Sequence, residues 1–194
     1  MTINREKYLN EVAKLVTTTL FKRADYDVPT NIRYSVSLPS KGGMNAKRTT
    51  IGQCWSTTVS DDNTFEILIT PMIDDTRTVV ATLIHEIVHA TVGLKEGHKK
   101  VFKQCAVAVG LEGKMTATTL SDDTWNELKP DIDKLGDYPH AKMSVSNNPK
   151  KQTTRMIKAV CYTTDYKVRL SRTQIDMYGT PICPCCHETM TISL

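Results

Sequence analysis

Apolar residues recur along the chain at two periods, and the changes between them mark out most of the elements. Tyr8, Val12, Leu15, Val16, Thr19 and Leu20 fall at helical spacing, which predicts an amphipathic helix over residues 4–23. "NIRYSVSL" (31–38) alternates as a strand does, and the turn-rich basic stretch "PSKGGMNAKR" after it reads as a loop. Two β-rich runs, "TTIGQCWSTTV" (49–59) and "TFEILITPMI" (64–73), flank "SDDN", which has the chemistry of a hairpin turn. Pro71 ends the second run. "DDTRTVVATLIHEIVHATVG" opens with acidic residues and threonines and closes on Gly93, so both helix-boundary signals are present. "GHKKVFKQCAVAVGL" predicts another helix, closing near Gly110. From 113 to 140 the pattern weakens to polar, threonine-rich sequence with Pro130 and Pro139, which predicts short helices and loops. "SVSNNPKKQTT" (144–154) is a linker by composition, and no internal repeat is visible.

The chain of 194 residues has room for one ordinary core and a small satellite unit. Hydrophobic content of 40% and charged content of 24% are those of a soluble globular protein, and no window approaches the roughly 20 apolar residues of a membrane span. The first twenty residues lack an apolar signal core, so a cytoplasmic protein is expected, in the host cytoplasm if the source is viral. Three of the six cysteines (Cys183, Cys185 and Cys186) crowd into four positions, which without a signal peptide reads as metal binding rather than disulfides. Charge is uneven. Residues 1–140 hold 17 Lys/Arg and 18 Asp/Glu, a net of −1, whereas residues 141–194 hold 8 and 3, a net of +5. A small basic appendage is either a solvated surface or a nucleic-acid contact.

Residues 85–98, "HEIVHATVGLKEGH", carry three of the five histidines. Four helical residues turn the chain by about 400°, so His85 and His89 project from one face and can take two corners of a tetrahedral zinc site. Glu86, offset by about 100°, flanks that position where a general base for a zinc-bound water belongs. Gly93 and Gly97 let the chain turn back, and His98 opens the next helix as the third ligand. Val79, Val80, Leu83, Ile84, Ile87 and Val88 make the helix apolar over much of its surface, hence buried. Burying His85, Glu86 and His89 without partners would cost several kcal/mol, and a metal ion is the economical partner.

"TLIHEIVHATVGLKEGHKKVFKQCAVAVGL" resembles the SprT-like (Spartan-type) zinc metallopeptidases, in which a helix carrying HExxHA is followed by Gly-His and a helix with a phenylalanine, here "GHKKVFK". "TIGQCWS", "FEILITP" and "TLIHEIVHA" stand in that family's order, and the likeness covers most of the chain. It implies an α+β, zincin-like metallopeptidase domain over 1–142, in which a small sheet backs the motif helix. A linker over 143–154 and a small β-rich, zinc-ribbon-like basic module over 155–194 follow. By match to the motif, His85, His89 and His98 are the catalytic zinc ligands and Glu86 the catalytic base. The implied activity is zinc-dependent endopeptidase, acting on proteins bound or crosslinked to DNA.

"TTRMIKAVCYTTDYKVRLSRTQIDMYGTPICPCCHETM" resembles the zinc ribbon that follows the peptidase domain in many such proteins. The second Cys-x-x-Cys knuckle stands as Cys183 and Cys186. The first keeps Cys161, but Thr164 replaces its second cysteine and Asp165 the usual glycine. Threonine is a poor zinc ligand, so the four-sulfur site is broken as written. Two alternatives follow: Cys185 or His187 supplies the fourth ligand of a second, structural zinc, or the metal is gone and the β-rich segments pack without it. "AVCYTTDYKVRLSR" and "GTPICPCC" are expected to form a small β unit bringing Cys161 close to Cys183 and Cys186.

Other residues have plainer readings. Cys54 and Cys105 read as core cysteines, Trp55 as a packing residue and His140 as a surface residue. Lys41, Lys47 and Arg48 belong to a basic loop able to grip phosphate. Arg155, Lys158, Lys167, Arg169 and Arg172 are better candidates for DNA contact, with Lys167, Arg169 and Ser171 alternating onto one strand face. Two function classes follow: a monomeric zinc endopeptidase brought to DNA by its basic C-terminal part, with no membrane partner, or a non-catalytic zincin-fold module that binds nucleic acid or protein.

Overall fold

The structure is a computed structural model that describes residues 3–40, 42, 50–144 and 156–193. The loop cations Lys41, Lys47 and Arg48, the linker residues 145–154 and Arg155 lie outside the described residues. The protein is mixed α+β and divides into two compact units, Met1–Asn147 and Asn148–Leu194; the division falls inside the segment whose composition marks a linker.

The first unit opens with α1 (Arg5–Val16), begun by Asn4, whose side chain accepts the Lys7 N–H at 2.8 Å. The helix continues through a wider turn over Thr17–Phe21, and its inner face (Tyr8, Leu9, Val12, Leu20, Phe21) is fully buried. A three-stranded sheet follows in the order β1 (Ile32–Val36), β3 (Phe65–Ile69), β2 (Gly52–Trp55). β1 runs parallel to β3, and β2 pairs antiparallel to it as an edge strand, with Cys54 opposite Ile67.

Helix α2 (Thr76–Val92) is capped by Asp75, which accepts the Thr78 N–H at 2.8 Å, and stops at Gly93, whose φ of +92° favours a residue without a Cβ. It packs on β2 and β3, on α1 and on α3 (Lys100–Ala108). Leu83, Ile84, Ile87 and Val88 are 0% exposed, and each such burial contributes about 2 kcal/mol. This is the core that fixes the helix against the sheet.

Residues 111–135 depart from the short helices and loops expected of them. A hairpin, β4 (Leu111–Lys114) with β5 (Ala117–Leu120), packs on α2, and α4 (Asp122–Leu135) follows as a 14-residue helix. Only Leu111 and Leu120 of the hairpin are buried, so its remaining polar positions carry no visible alternation. Pro130 lies inside α4 without ending it; Leu128 and Ile132 on either side bury into the core. His140 is half-buried rather than a surface residue, because its Nε2 sits 2.8 Å from the Pro71 carbonyl and donates to it.

The second unit holds a three-stranded sheet in the order β7 (Lys167–Leu170), β6 (Ile157–Val160), β8 (Thr191–Ser193), all pairs antiparallel. A short helix, α5 (Arg172–Tyr178), had no counterpart in the sequence reading. Ser171 therefore does not extend the β7 face: it caps α5 in a reciprocal box with Gln174. The core of this unit is small, with Ala159, Cys161, Cys183 and Met190 buried.

Candidate active site

Helix geometry sets His85 and His89 one turn apart, and the chain reversal through Gly93 (φ +92°) and Gly97 (φ +52°) returns His98 toward them. The His85 and His98 Nε2 atoms lie 3.1 Å apart and those of His89 and His98 3.2 Å apart. Three nitrogens each about 2.05 Å from a tetrahedral zinc would be separated by about 3.3 Å. The three imidazoles thus form a cluster able to hold a metal ion, with the spacing of zinc ligands. All three rings rest on Phe102, with centroids 4.9, 4.4 and 4.9 Å from those of His85, His89 and His98. Phe102 is 0% exposed. The phenylalanine of "GHKKVFK" is the floor of the cluster.

The other ring nitrogen of His85 has a partner that sequence reading missed. His85 Nδ1 lies 2.8 Å from Thr118 Oγ1, on β5. An imidazole that turns the Nε2 lone pair to an ion carries its proton on Nδ1 and donates it to this hydroxyl, which locks tautomer and ring orientation. Thr118→Val is expected to weaken zinc affinity about 10- to 100-fold, with Thr118→Ser close to the parent, as read by competition with a chromophoric chelator. No signal within the threonine-rich 116–119 segment singles this residue out; only its apposition to α2 does.

Glu86 is 5% exposed. Burial pushes its carboxyl up to about 8, opposed by the backbone N–H of Cys54 on the β2 edge. Burial also pushes His85 down to about 3 and His89 to about 4, with the neighbouring imidazoles adding to the effect. In metal-free protein the folded histidines stay neutral while the unfolded chain takes up protons below 6.5, so stability falls as pH drops from there. Folded Glu86 instead keeps its proton up to about 8 whereas the unfolded residue loses it near 4.5, so its contribution is complete below 4.5 and fades as pH rises to 8. Denaturant unfolding in chelator is expected to show greatest stability near pH 6.5. Glu86→Gln should remove the loss above that pH, which runs at about 1.4 kcal/mol per pH unit.

These groups line a cleft of about 530 Å³ whose walls are residues 50–54 on one side and 116–118 on the other, with Thr82 and Leu94 completing it. Cys54, half-buried and lining this cleft, is not a simple core residue; burial and the nearby Glu86 push its thiol up to about 12. Cys105 is buried in the core as expected. Trp55 is half-buried at the end of β2 and does not line the cleft.

In the second unit the sulfur atoms of Cys161, Cys183 and Cys186 converge into a second cluster able to hold a metal ion, and Cys185 and His187 stay exposed outside it. The β6–β7 register sets Lys158 opposite Arg169 and Val160 opposite Lys167, so Lys158, Lys167 and Arg169 share one sheet face. Arg172 lies apart on α5, 3.2 Å from Asp176. Among the described residues no helix is long and apolar enough to cross a membrane. No protein-family model, curated protein or solved structure matches the chain, so its assignment rests on the geometry of its own residues.

Proposed function

We propose that this protein is a zinc-dependent endopeptidase of the SprT-like type, built on a zincin-like fold and acting on proteins associated with DNA. The observation that carries the reading is three imidazole nitrogens at zinc-ligand spacing with a buried carboxylate on the helix that supplies two of them. Zinc held by His85, His89 and His98 would supply Lewis acidity to the scissile carbonyl and acidity to the attacking water. The chain's own residues do the rest. Glu86 receives the water's proton and delivers it to the leaving amine, a task suited to a carboxylate that lines the cleft with the three imidazoles. Thr118 keeps His85 turned to the cluster. Among the described residues β2 pairs with β3 alone and β5 with β4 alone, so the cleft they line presents strand edges to an extended polypeptide. A non-catalytic metal site has no use for a carboxylate desolvated as Glu86 is, which favours the enzyme over the binding module.

The DNA element of this reading is carried by the C-terminal sheet. Lys158 and Arg169 face each other across β6 and β7, with Lys167 beside them paired to Asp165 at 2.7 Å; like charges directly opposite are relieved by an added anion, which a phosphate would supply. DNA binding that falls steeply with salt and loses about one unit of salt slope in Arg169→Ala would support it. Unchanged binding in that variant would remove the face from the proposal. For the enzyme itself the test is zinc content together with cleavage of a DNA-bound protein. Activity should disappear with a chelator and return with zinc, and protein that bound no metal at His85, His89 and His98 would overturn the assignment.

A further inference from the structure

The C-terminal unit folds around two chain reversals that match residue for residue. In the first, the Cys161 N–H donates to the Tyr166 carbonyl at 2.9 Å, and Asp165 takes the left-handed conformation at φ +55°. In the second, the Cys183 N–H donates to the Glu188 carbonyl at 2.8 Å, and His187 takes it at φ +62°. Cys161 therefore corresponds to Cys183, Asp165 to His187, and Thr164 to Cys186. The contacts follow that correspondence. Cys161 Sγ lies 3.4 Å from Cys186 Sγ, and Thr164 Oγ1 lies 3.2 Å from Cys183 Sγ. The three sulfurs lie within 4.8 Å of one another with the Thr164 hydroxyl against them, the order of separation of a tetrahedral zinc site, whose edges would measure about 3.6–3.8 Å. Three corners are thiols and the fourth is the Thr164 hydroxyl.

We infer that the second unit holds a zinc-like, thiolate-preferring dication on Cys161, Cys183 and Cys186 alone, with the fourth coordination position beside Thr164 left to water or another small exogenous ligand. A neutral alcohol is a poor zinc donor, so Thr164 serves by hydrogen bonding to the Cys183 sulfur and to whatever fills the corner. Cys185 is exposed and stands outside the three convergent sulfurs, although its thiol hydrogen-bonds to that of Cys183, and His187 is exposed at the reversal. The Glu188 carboxylate accepts the Thr163 hydroxyl at 2.5 Å and lies 3.8 Å from the Cys186 sulfur, so it buttresses one thiol without joining the three. The unit also needs the ion. Four buried side chains make a core too small to hold some 38 residues folded without a metal or a comparable staple. An open corner separates this site from a closed four-cysteine ribbon: its ion exchanges and takes up an external ligand.

The inference does not depend on the peptidase reading, because histidine nitrogens give no sulfur-to-metal charge-transfer band. Full-length protein titrated with cobalt(II) should show a near-ultraviolet thiolate band of three-sulfur intensity. Added imidazole should shift that thiolate band, which cobalt on the histidine cluster does not share. Thr164→Cys should raise the thiolate band by about one third, bind zinc roughly ten-fold more tightly or better, and abolish the response to imidazole. Cys185→Ser should leave the parent spectrum unchanged. A parent band of four-sulfur intensity that drops in Cys185→Ser would overturn the open corner in favour of Cys185. The absence of any thiolate band in the folded parent chain would overturn the site.

Discussion

Glu86→Gln is expected to lower peptide cleavage at least 10³-fold while zinc content stays that of the parent. The carboxylate sits beside the imidazole cluster without belonging to it, so an isosteric amide keeps shape and packing and removes only the proton acceptor. General acid–base catalysis is worth roughly 10²–10⁴, and here one group serves both the attacking water and the leaving amine, which places the loss at the upper end. In chelator the amide also no longer competes for a proton in the desolvated site, so the metal-free variant should be no less stable than the metal-free parent near pH 8. Zinc content by atomic absorption and turnover on one substrate settle the matter together. A variant with full zinc and full activity would remove Glu86 from the mechanism.

Gly52→Ala is expected to cost about 10²-fold in activity from a position that is neither a ligand nor an acid. The β2 edge passes so close to α2 that a Cβ at residue 52 would stand 2.5 Å from Glu86 Oε1 and 2.6 Å from Thr82 Cγ2. The carboxylate must move, and small misplacements of a reacting group carry penalties of that size. Crowding of a packed contact also costs about 1–3 kcal/mol of stability, while metal content should be unchanged, because the nearest crowded atoms belong to Glu86 and Thr82 and not to the histidines. The double variant Gly52→Ala/Thr82→Ser separates the effects. Removing the Thr82 methyl should recover part of the stability but not the activity, since the clash with Glu86 persists. Unimpaired turnover in Gly52→Ala would mean that the Glu86 position is not critical.

What could be read along the chain and what could not divide by the range of the interactions. The helices at 5–16, 76–92 and 100–108 were legible because each carries its own period and its own boundary residues, such as Asn4, Asp75 and Gly93. The histidine cluster was legible for the same reason: two ligands share a helix face, and the third follows within one reversal of the chain. The β4–β5 hairpin was not, since only Leu111 and Leu120 of it are buried and the rest is polar threonine-rich sequence. Likewise α5 is seven residues long and buries none of its side chains, so no apolar stripe announces it.

The sequence by itself therefore determined the chemistry available: a helix with two histidines and a glutamate spaced for a metal and a base, a basic C-terminal part, and three cysteines with a threonine where a fourth would stand. Tertiary structure decided how those groups are used. It chose Thr118, 33 residues from His85, as the partner that orients it, and placed Gly52 against Glu86 where no side chain fits. It also brought Thr164, 19 residues from Cys183, against that residue's sulfur, at the place of a fourth cysteine. Periodicity and caps act within a few residues and leave their mark in local sequence. A contact between distant segments is selected by how helix, sheet and hairpin pack, and a single polar residue meeting another across that packing has no pattern of its own to betray it.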